Sequence, residues 1–489
     1  MSERTDFYNR LNIPPHASES EIKRAYRQAV KRAHPDVNKR DGATRLFLDI
    51  QEAYKVLSDP ELKKAYDEGR QPTEPSRVKT AVTYSRPTLY RIDEPQVIYA
   101  LLHIITTQKQ EENPELPINV AIVLDTSTSM EGRRLQLLKA ATKEITRDLK
   151  EDDRFSIITF NDRANVLIPS YHERNPSQIE SKINSLIAEG GTEIYQGLEA
   201  GFYEIRKAIT TNYVNHIILI TDGHTYGDEG KCLHLAEKAA NLDIGVSGLG
   251  IGSEWNDDFL DEITALSGGQ SAYIEHPKEV KDFLQGTISN LKKSYSRNIT
   301  LHINEASEVN VLSVFRLLPE AIPLSPQPNI RLGTLKYDKP HQLLLELLVK
   351  PLPENIETFL LADTTLDVKR KNFSFNIPIP LSRPIVPKKE DMEPPPEMLY
   401  RAISRLTLYR LQERAKDDLK KGKPDVAYQR MVNLASHLMS KGEDNLAKIA
   451  MEEADHIKSH HTFSPDGKKQ IKYGTRRMML PGHIPSENL

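Results

Sequence analysis

The apolar run at residues 118–124, INVAIVL, restricts the possible folds of this chain more than any other feature of its sequence. A strand of this composition is typically buried on both faces, as the strands of parallel sheets are. Over residues 118–296, similar short runs alternate with amphipathic helical segments. This alternation predicts a doubly wound, Rossmann-like α/β domain, in which helices cover both faces of a parallel sheet.

Hydroxyl and carboxyl side chains follow the ends of two of these predicted strands. Asp125, Ser127 and Ser129 come at the end of the first run, and Asp222 ends another run, HIILITDG. Thr192 lies at the predicted start of a helix. A D-x-S-x-S loop by itself often only caps a helix. Together, however, these hard oxygen ligands suit Mg²⁺, and doubly wound sheets bind ligands outside the carboxyl ends of their strands.

Residues 118–296 resemble a von Willebrand factor A domain over their whole length, and the five side chains match its metal-ion-dependent adhesion site. The resemblance implies that Ser127 and Ser129 coordinate Mg²⁺ directly. It implies that Asp125 and Asp222 act largely through water, and that Thr192 binds or leaves the metal as the site changes state. It also implies that a carboxylate of a partner protein completes the coordination.

A metal among carboxylates could also belong to a hydrolase, but the motif segments offer no further histidine or acid as a base. His224, close after Asp222, is the one candidate, and a loop histidine is more often a surface residue. Trp255, Asp257 and Asp258 follow another strand end, GVSGLGIG, and are expected to form a partner-binding rim on the same face. We therefore expect a binding domain without catalytic residues.

Residues 1–70 predict a small all-α domain whose main helix has an apolar face and a cationic face. Ser18 and Glu21 form the S-x-x-E capping box that starts this helix. The helix must end near His34, because Pro35 disfavours helical geometry in the residue before it. The cationic residues that share one side of the helix are Lys23, Arg24, Arg27 and Lys31.

The tripeptide His34-Pro35-Asp36 would lie at the tip between two antiparallel helices, and the segment QEAYKVLSDPELKKAYDEG follows it. With the basic helix, these segments resemble the J domain of DnaJ-type proteins. The resemblance implies that the tripeptide and the four cationic residues dock on a DnaK-type chaperone and accelerate its ATP hydrolysis. Ala33 departs from the family, which often has an aromatic residue there. Lysine and arginine alone would more often form a solvated face.

Proline content divides the rest of the chain. Residues 71–92 and 386–396 are rich in proline and are predicted linkers. Residues 93–117 and 297–385 offer short β-type segments, which we expect to pair into one β-sandwich split around the α/β domain.

Helical periodicity returns after the second linker. Residues 397–460 predict a helical domain, with breaks at LKKGKP and MSKGED. Residues 461–489 combine few periodic apolar positions with many charges and predict a mostly disordered tail. The chain is therefore expected to be multidomain, with all-α, α/β and β-sandwich parts and a C-terminal helical region.

Composition limits the partners and the compartment. The net charge of the 489 residues is only −3, so no global field attracts nucleic acid or an anionic membrane. One cysteine, Cys232, allows no intramolecular disulfide and no cysteine-based zinc site, which fits a reducing compartment. No run approaches the ~20 apolar residues of a membrane span, and MSERTDFYNR has no apolar signal core. We expect a cytoplasmic protein.

Two functions of different classes fit these features. The first is an adaptor co-chaperone, which binds an acidic client or scaffold protein through Mg²⁺ and recruits a DnaK-type chaperone; ATP hydrolysis then occurs on the chaperone, and this chain is not an enzyme. The second is a metal-dependent assembly or signalling scaffold whose J domain serves only its own turnover. No glycine/phenylalanine-rich stretch or four-cysteine module follows residues 1–70, so other domains must select the client.

Overall fold

The computed structural model consists of two units, Met1–Pro75 and Ser76–Leu489, each described by itself. No helix among the described residues has the length and apolarity needed to cross a membrane. The described residues are 7–11, 13, 17–33, 50, 53–54, 56–59, 63, 66, 77–110, 115–170, 175–210, 212–223, 227–252, 255–274, 279–337, 339–352, 356–370, 374–387 and 394–478.

The first unit begins with two helices, α1 (Phe7–Leu11) and α2 (Glu19–Ala33). The backbone N–H of Ser18 donates to Glu21 Oε2 over 2.7 Å, and the N–H of Glu21 donates to Ser18 Oγ over 3.4 Å. This is the reciprocal capping box expected at the start of α2. Apolar side chains from both helices and a later segment form one small core: Tyr8, Leu11, Ala17, Ile22, Ile50, Ala53 and Leu57.

The second unit contains sheets and helices in separate layers. Its strands are β1 (Val78–Tyr84), β2 (Leu89–Tyr90), β3 (Gln96–Thr106), β4 (Ile118–Asp125), β5 (Arg154–Phe160), β6 (Ala164–Ile168), β7 (Val214–Thr221), β8 (Ile244–Ile251), β9 (Ser271–Ile274), β10 (Asn298–Glu305), β11 (Val309–Leu318), β12 (Ile322–Leu324), β13 (Asn329–Gly333), β14 (His341–Val349), β15 (Thr358–Lys369), β16 (Ser374–Pro378) and β17 (Leu381–Val386). Its helices are α3 (Arg133–Asp148), α4 (Pro176–Asn184), α5 (Ile194–Arg206), α6 (Glu229–Asn241), α7 (Asp257–Ser267), α8 (Glu279–Lys292), α9 (Glu397–Lys420), α10 (Pro424–Met439), α11 (Asp444–His460) and α12 (Pro465–Met478).

The central sheet has the order β6-β5-β4-β7-β8-β9, and its strands are parallel except where β6 meets β5. Every residue of β4 and β7 is buried. Ile122 and Leu124 pack with α3, α4 and α8 on one face. Ala121 and Val123 pack with α5, α6 and α7 on the other. The doubly wound α/β fold expected from the apolar runs is confirmed.

Two further sheets pack face to face around a second core. Their orders are β1-β3-β14-β11-β12 and β13-β10-β15-β17-β2, with β16 added to β15. Strand β3 precedes the α/β domain and β14 follows it, and the two pair from Gln96 opposite Val349 to Ile104 opposite His341. The α/β domain is thus flanked in sequence by strands of one sheet.

Strand β1 corrects the prediction that residues 71–92 are a linker. It pairs with β3 along its whole length, with Val78 opposite Thr106 and Tyr84 opposite Ala100. Strand β2 also falls in this range and pairs with β17. The alternation of β1 is weak because it is an edge strand, in which only Val78 is buried. The β-rich region therefore begins at residue 78 and not at residue 93.

Helix α9 joins the β-rich region to the helical region. Its first half packs on the outer face of the β1–β12 sheet, and α10, α11 and α12 form a separate core with its second half. Helix α12 corrects the prediction that residues 461–489 are mostly disordered. Its charged side chains suggested solvation, but Lys472 is 1% exposed and Arg476 is 6% exposed, because both contact acids of α7.

Candidate functional site

Two neighbouring strands bring the two predicted metal-site carboxylates together. Asp125 is the last residue of β4, and Asp222 directly follows β7, with Leu124 opposite Ile220 in the register. Both carboxylates are buried, at 0% and 2% exposure. The chain after β4 enters α3 on one face of the sheet, and the chain after β7 enters α6 on the other. The carboxylates thus lie where the connections diverge, the usual ligand position of such sheets.

A chain of hydrogen bonds links the two carboxylates through the serines. The backbone N–H of Ser127 donates to Asp125 Oδ1 over 2.8 Å, which turns the loop back over the strand end. Ser127 Oγ and Ser129 Oγ are 3.0 Å apart. Ser129 Oγ then donates to Asp222 Oδ1 over 2.7 Å. Four of the five predicted ligand residues are therefore joined in one chain of hydrogen bonds.

Asp125 is held in place on both of its oxygens. Thr221 Oγ1 donates to Asp125 Oδ2 over 2.6 Å, opposite the bond from Ser127. Burial raises the pKa of Asp125 to about 6, against the effect of hydrogen bonds from Ser127 and Thr221, and the neighbouring Asp222 adds to the rise. Two buried carboxylates side by side repel each other, and a cation between them relieves that repulsion.

Thr192 lies at the same edge of the sheet. It is 8% exposed, and a Cβ placed on Gly223 would be 3.0 Å from Thr192 Oγ1. Any larger residue at position 223 would press on this hydroxyl. The loop before Thr192 is also tied to the serine loop, since the N–H of Thr128 donates to the Gly190 carbonyl over 3.1 Å. All five predicted positions thus meet at one edge.

Arg134 is a site residue that the sequence reasoning missed. Its Nη1 donates to Asp222 Oδ2 over 2.6 Å and to the Ser129 carbonyl over 3.2 Å. The signal that could have revealed it is its place in the first turn of α3, the helix that the D-x-S-x-S loop enters. Its guanidinium group supplies positive charge directly beside the candidate metal position.

The donor set fits a hard divalent cation, because it consists of two carboxylates and three hydroxyls. In the part of the chain that the structure describes, no three His, Cys, Asp or Glu side chains come together as a metal site would require. A metal bound at the β4–β7 edge would therefore depend on the serine and threonine hydroxyls. His224, the candidate base of a hydrolase, lies outside the described residues.

The expected partner-binding rim is covered by helix α12 of this chain. Trp255 is 1% exposed and Asp257 is 2% exposed. Lys472 Nζ lies 2.5 Å from Asp257 Oδ2 and 3.0 Å from Asp258 Oδ1, and Lys469 Nζ donates to the Trp255 carbonyl over 2.7 Å. The prediction of an open rim is therefore wrong for Trp255 and Asp257, which α12 covers, whereas the Asp258 side chain is 45% exposed although it too pairs with Lys472.

The predicted chaperone-binding residues are described only in part. Lys23, Arg24 and Arg27 are exposed on α2. The side chain of Lys31 and all of His34, Pro35 and Asp36 lie outside the described residues. A partner could therefore reach these three side chains.

Three family models match separate parts of the chain. A DnaJ domain matches residues 6–67, and a von Willebrand factor type A domain matches residues 119–291. The Sll0103-like, C-terminal alpha-helical domain matches residues 397–481. This last match includes α12 and agrees with an ordered helical region beyond residue 460.

Proteins with similar sequences match either most of the chain or one part of it. Protein sll0103 of Synechocystis is 29% identical over 410 residues, which cover 78% of this chain and 93% of the relative. Protein YfbK of Escherichia coli is 27% identical over 209 residues, or 42% of this chain and 36% of YfbK. The chaperone protein DnaJ of Erysipelothrix rhusiopathiae is 48% identical over 68 residues, only 14% of this chain and 18% of DnaJ.

Solved structures share the fold of the larger unit. A von Willebrand factor type A protein from Catenulispora acidiphila has a TM-score of 0.66 at 14% identity, over 83% of this chain and 98% of that one. The ArnB paralog VWA2 from Sulfolobus acidocaldarius has a TM-score of 0.53 at 14% identity, over 83% and 100%. This chain therefore joins an N-terminal J domain to a von Willebrand factor A domain, a β-rich region and a C-terminal alpha-helical domain like that of sll0103.

Proposed function

We propose that this protein is an adaptor co-chaperone, which brings a DnaK-type chaperone to a client or scaffold protein bound by the A domain. The observation that carries the proposal is the presence, in one chain, of a J domain and of an A domain whose strand ends gather two carboxylates and three hydroxyls. The J domain implies a DnaK-type chaperone as its partner. The A-domain group has the composition of a metal-dependent binding site. The single cysteine, Cys232, is buried and unpaired, which suits a cytoplasmic location.

The J domain supplies the chaperone arm. In this proposal His34, Pro35 and Asp36 contact the chaperone's ATPase domain, and the cationic face of α2 docks beside them. The charge of that face supplies attraction to an acidic surface and speeds encounter. ATP is hydrolysed on the chaperone, so this chain needs no catalytic residue of its own. The docking cations are Lys23, Arg24, Arg27 and Lys31.

The A domain supplies the client arm. Ser127, Ser129 and Thr192 would hold Mg²⁺ with their hydroxyls, and Asp125 and Asp222 would balance its charge. The bound ion supplies an open coordination position for a carboxylate of the partner. Asp125 is suited to its part because hydrogen bonds from Ser127 and Thr221 fix both of its oxygens. The proposed partner is thus a protein that presents an acidic side chain.

The chaperone arm is tested by steady-state ATP turnover of a DnaK-type chaperone. We expect stimulation by the wild-type protein and none by His34→Gln. His234→Gln makes the same chemical change on an exposed helix position and should stimulate like wild type. Absence of stimulation by the wild-type protein would show that the chain is not a co-chaperone.

The client arm is tested by metal-dependent capture of partners. We compare wild type, the double variant Asp125→Ala/Asp222→Ala, and Asp152→Ala, which removes an exposed acid elsewhere. We expect wild type and Asp152→Ala to retain the same partners in Mg²⁺ and to release them in chelator. Mn²⁺ titration calorimetry on the same proteins reports metal binding directly. Equal capture by the double variant would rule out a metal bridge.

A further inference from the structure

A cavity of about 40 Å³ lies between the A domain and the β-sandwich. On the A-domain side it is lined by Val214 and Gly245, which belong to the amino ends of β7 and β8. It is therefore at the edge of the sheet opposite to the candidate metal site. One water needs roughly 10–15 Å³ of such volume. The cavity can thus hold a few waters or one small ion.

Cations dominate the lining of this cavity. Arg297, Arg316 and Lys336 all line it, whereas Asp243 is the one acid among its lining residues. Asp243 is already neutralised, since Lys369 Nζ lies 2.9 Å from its Oδ2. The residues that line the cavity therefore carry an excess of positive charge.

Two of the three cations are almost fully buried and share a single carboxylate, that of Glu320. Arg316 is 1% exposed and donates to the carbonyl oxygens of Gly269 over 2.9 Å and Leu332 over 3.2 Å. Lys336 is 7% exposed, and Glu320 is the acid whose charge acts on its amino group. Burial raises the pKa of Glu320 and both cations lower it, and its single carboxylate can balance only one of the two positive charges. Buried charges normally have a partner of opposite sign.

His341 adds a hydrogen-bond acceptor to the lining. It is 1% exposed, and its Nε2 lies 3.0 Å from the Thr334 carbonyl, to which it must donate. Its Nδ1 is then an acceptor, and no described residue donates a hydrogen bond to it. Burial, together with Arg316 and Lys336, lowers the pKa of His341 to about 3, which keeps the ring neutral. The cavity thus combines positive charge with one unsatisfied acceptor.

We propose that this cavity binds a small oxyanion that also carries a hydroxyl hydrogen, with hydrogen phosphate as the best fit. Its charged oxygens would face Arg297, Arg316 and Lys336, and its hydroxyl would donate to His341 Nδ1. Sulfate has the same shape but carries no proton at neutral pH, so it cannot satisfy His341. A phosphate monoester dianion lacks the hydroxyl too, and the cavity volume favours the free ion. This site is independent of the proposed co-chaperone function.

The test is titration calorimetry of the full chain at pH 7 with sodium phosphate, sulfate and chloride at matched ionic strength. We expect wild type to bind phosphate, and to bind sulfate at least about tenfold more weakly, the value of one lost hydrogen bond to a charged group. Lys336→Gln should weaken phosphate binding by a similar factor. Lys339→Gln removes the same charge at an exposed position nearby and should bind like wild type.

Arg297→Gln is the second variant, because Lys336 is buried and its loss could unfold the sandwich. Arg297 is only half-buried and should also weaken phosphate binding about tenfold. Heats that do not differ between phosphate and chloride would mean that water fills the cavity, and the proposal would be wrong. Equal binding of phosphate and sulfate would remove the role given to His341, and unchanged binding by Arg297→Gln would place the anion elsewhere.

Discussion

Arg134 Nη1 lies 2.6 Å from Asp222 Oδ2, so a cation of this chain contacts one of the two carboxylates of the candidate metal site. A divalent cation bound beside Asp222 would meet this guanidinium charge at short range. The repulsion is moderated by solvent, because the Arg134 side chain is 39% exposed. We therefore expect the pair to lower the affinity of the candidate site for metal by a modest amount.

Replacement of Arg134 tests this relationship. Arg134→Gln removes the positive charge and leaves Asp222 without its counter-ion, so we expect Mn²⁺ to bind severalfold more tightly, a gain of about 1 kcal/mol. Titration calorimetry with Mn²⁺ measures the change. Arg133→Gln is the matched control, since it removes an exposed arginine one residue away. Weaker binding by Arg134→Gln would instead mean that Arg134 is needed to orient Asp222.

Trp255 should report metal binding by its fluorescence. Its Nε1 donates to the Gly252 carbonyl over 2.8 Å, and a Cβ placed on Gly252 would lie 3.0 Å from Arg134 Nη2. Trp255 is the one tryptophan of the chain. If Mg²⁺ binds beside Asp222, it should shift Arg134, and we expect a saturable change in Trp255 emission. The change should disappear in Arg134→Gln. If Trp255 emission does not change with Mg²⁺ in a protein that binds Mn²⁺, Arg134 does not couple metal binding to Trp255.

The arrangement of the candidate metal-site residues was predictable because its signals are local. Buried parallel strands are continuous apolar runs, and the polar residues that end them must share the carboxyl edge of the sheet. The positions of Asp125 and Asp222 follow from these two facts. The burial of Asp125 and its bonds to Ser127 and Thr221 follow from the same strand geometry. Arg134 was missed because a charged side chain in the first turn of a helix most often points into solvent, and nothing in the sequence marks this one as a partner of Asp222.

The environment of Trp255 was not predictable because it depends on a segment far along the chain. Trp255 follows a strand end and reads as a rim residue, but Lys469 covers it from α12, with Nζ 4.6 Å from the ring centroid. Conversely, the lysines of α12 read as solvated, since their acidic partners on α7 lie about two hundred residues earlier. Strand β1 was not predicted for a related reason. It is an edge strand with one buried residue, so its sequence shows almost no alternation of apolar and polar residues.

The ion pairs of Asp261 hold α12 on the A domain. Arg476 donates to Asp261 Oδ1 over 2.9 Å, and Lys472 Nζ lies 2.7 Å from Asp261 Oδ2. Asp261→Asn leaves these buried cations short of a partner, at a cost of about 3–5 kcal/mol to docking. We expect faster proteolytic cleavage between α11 and α12, measured by limited proteolysis. Asp466→Asn changes an exposed acid of α12 and should be cleaved like wild type.

Acidification should release α12 before the rest of the unit unfolds. Burial by itself would raise the pKa of Asp261, but Arg476 and Lys472 outweigh it and hold the pKa well below 3.8. Because the folded-state pKa is the lower one, the ion pairs stabilise docking fully above about pH 4–5 and lose this contribution as pH falls further. We expect Trp255 emission to shift to the red below about pH 4, while circular dichroism at 222 nm still reports native helix.

Asp261→Asn should shift this transition to higher pH, because its docking lacks one pair from the start. A Trp255 transition that coincides with global unfolding in both proteins would mean that the acidic cluster does not control the helix.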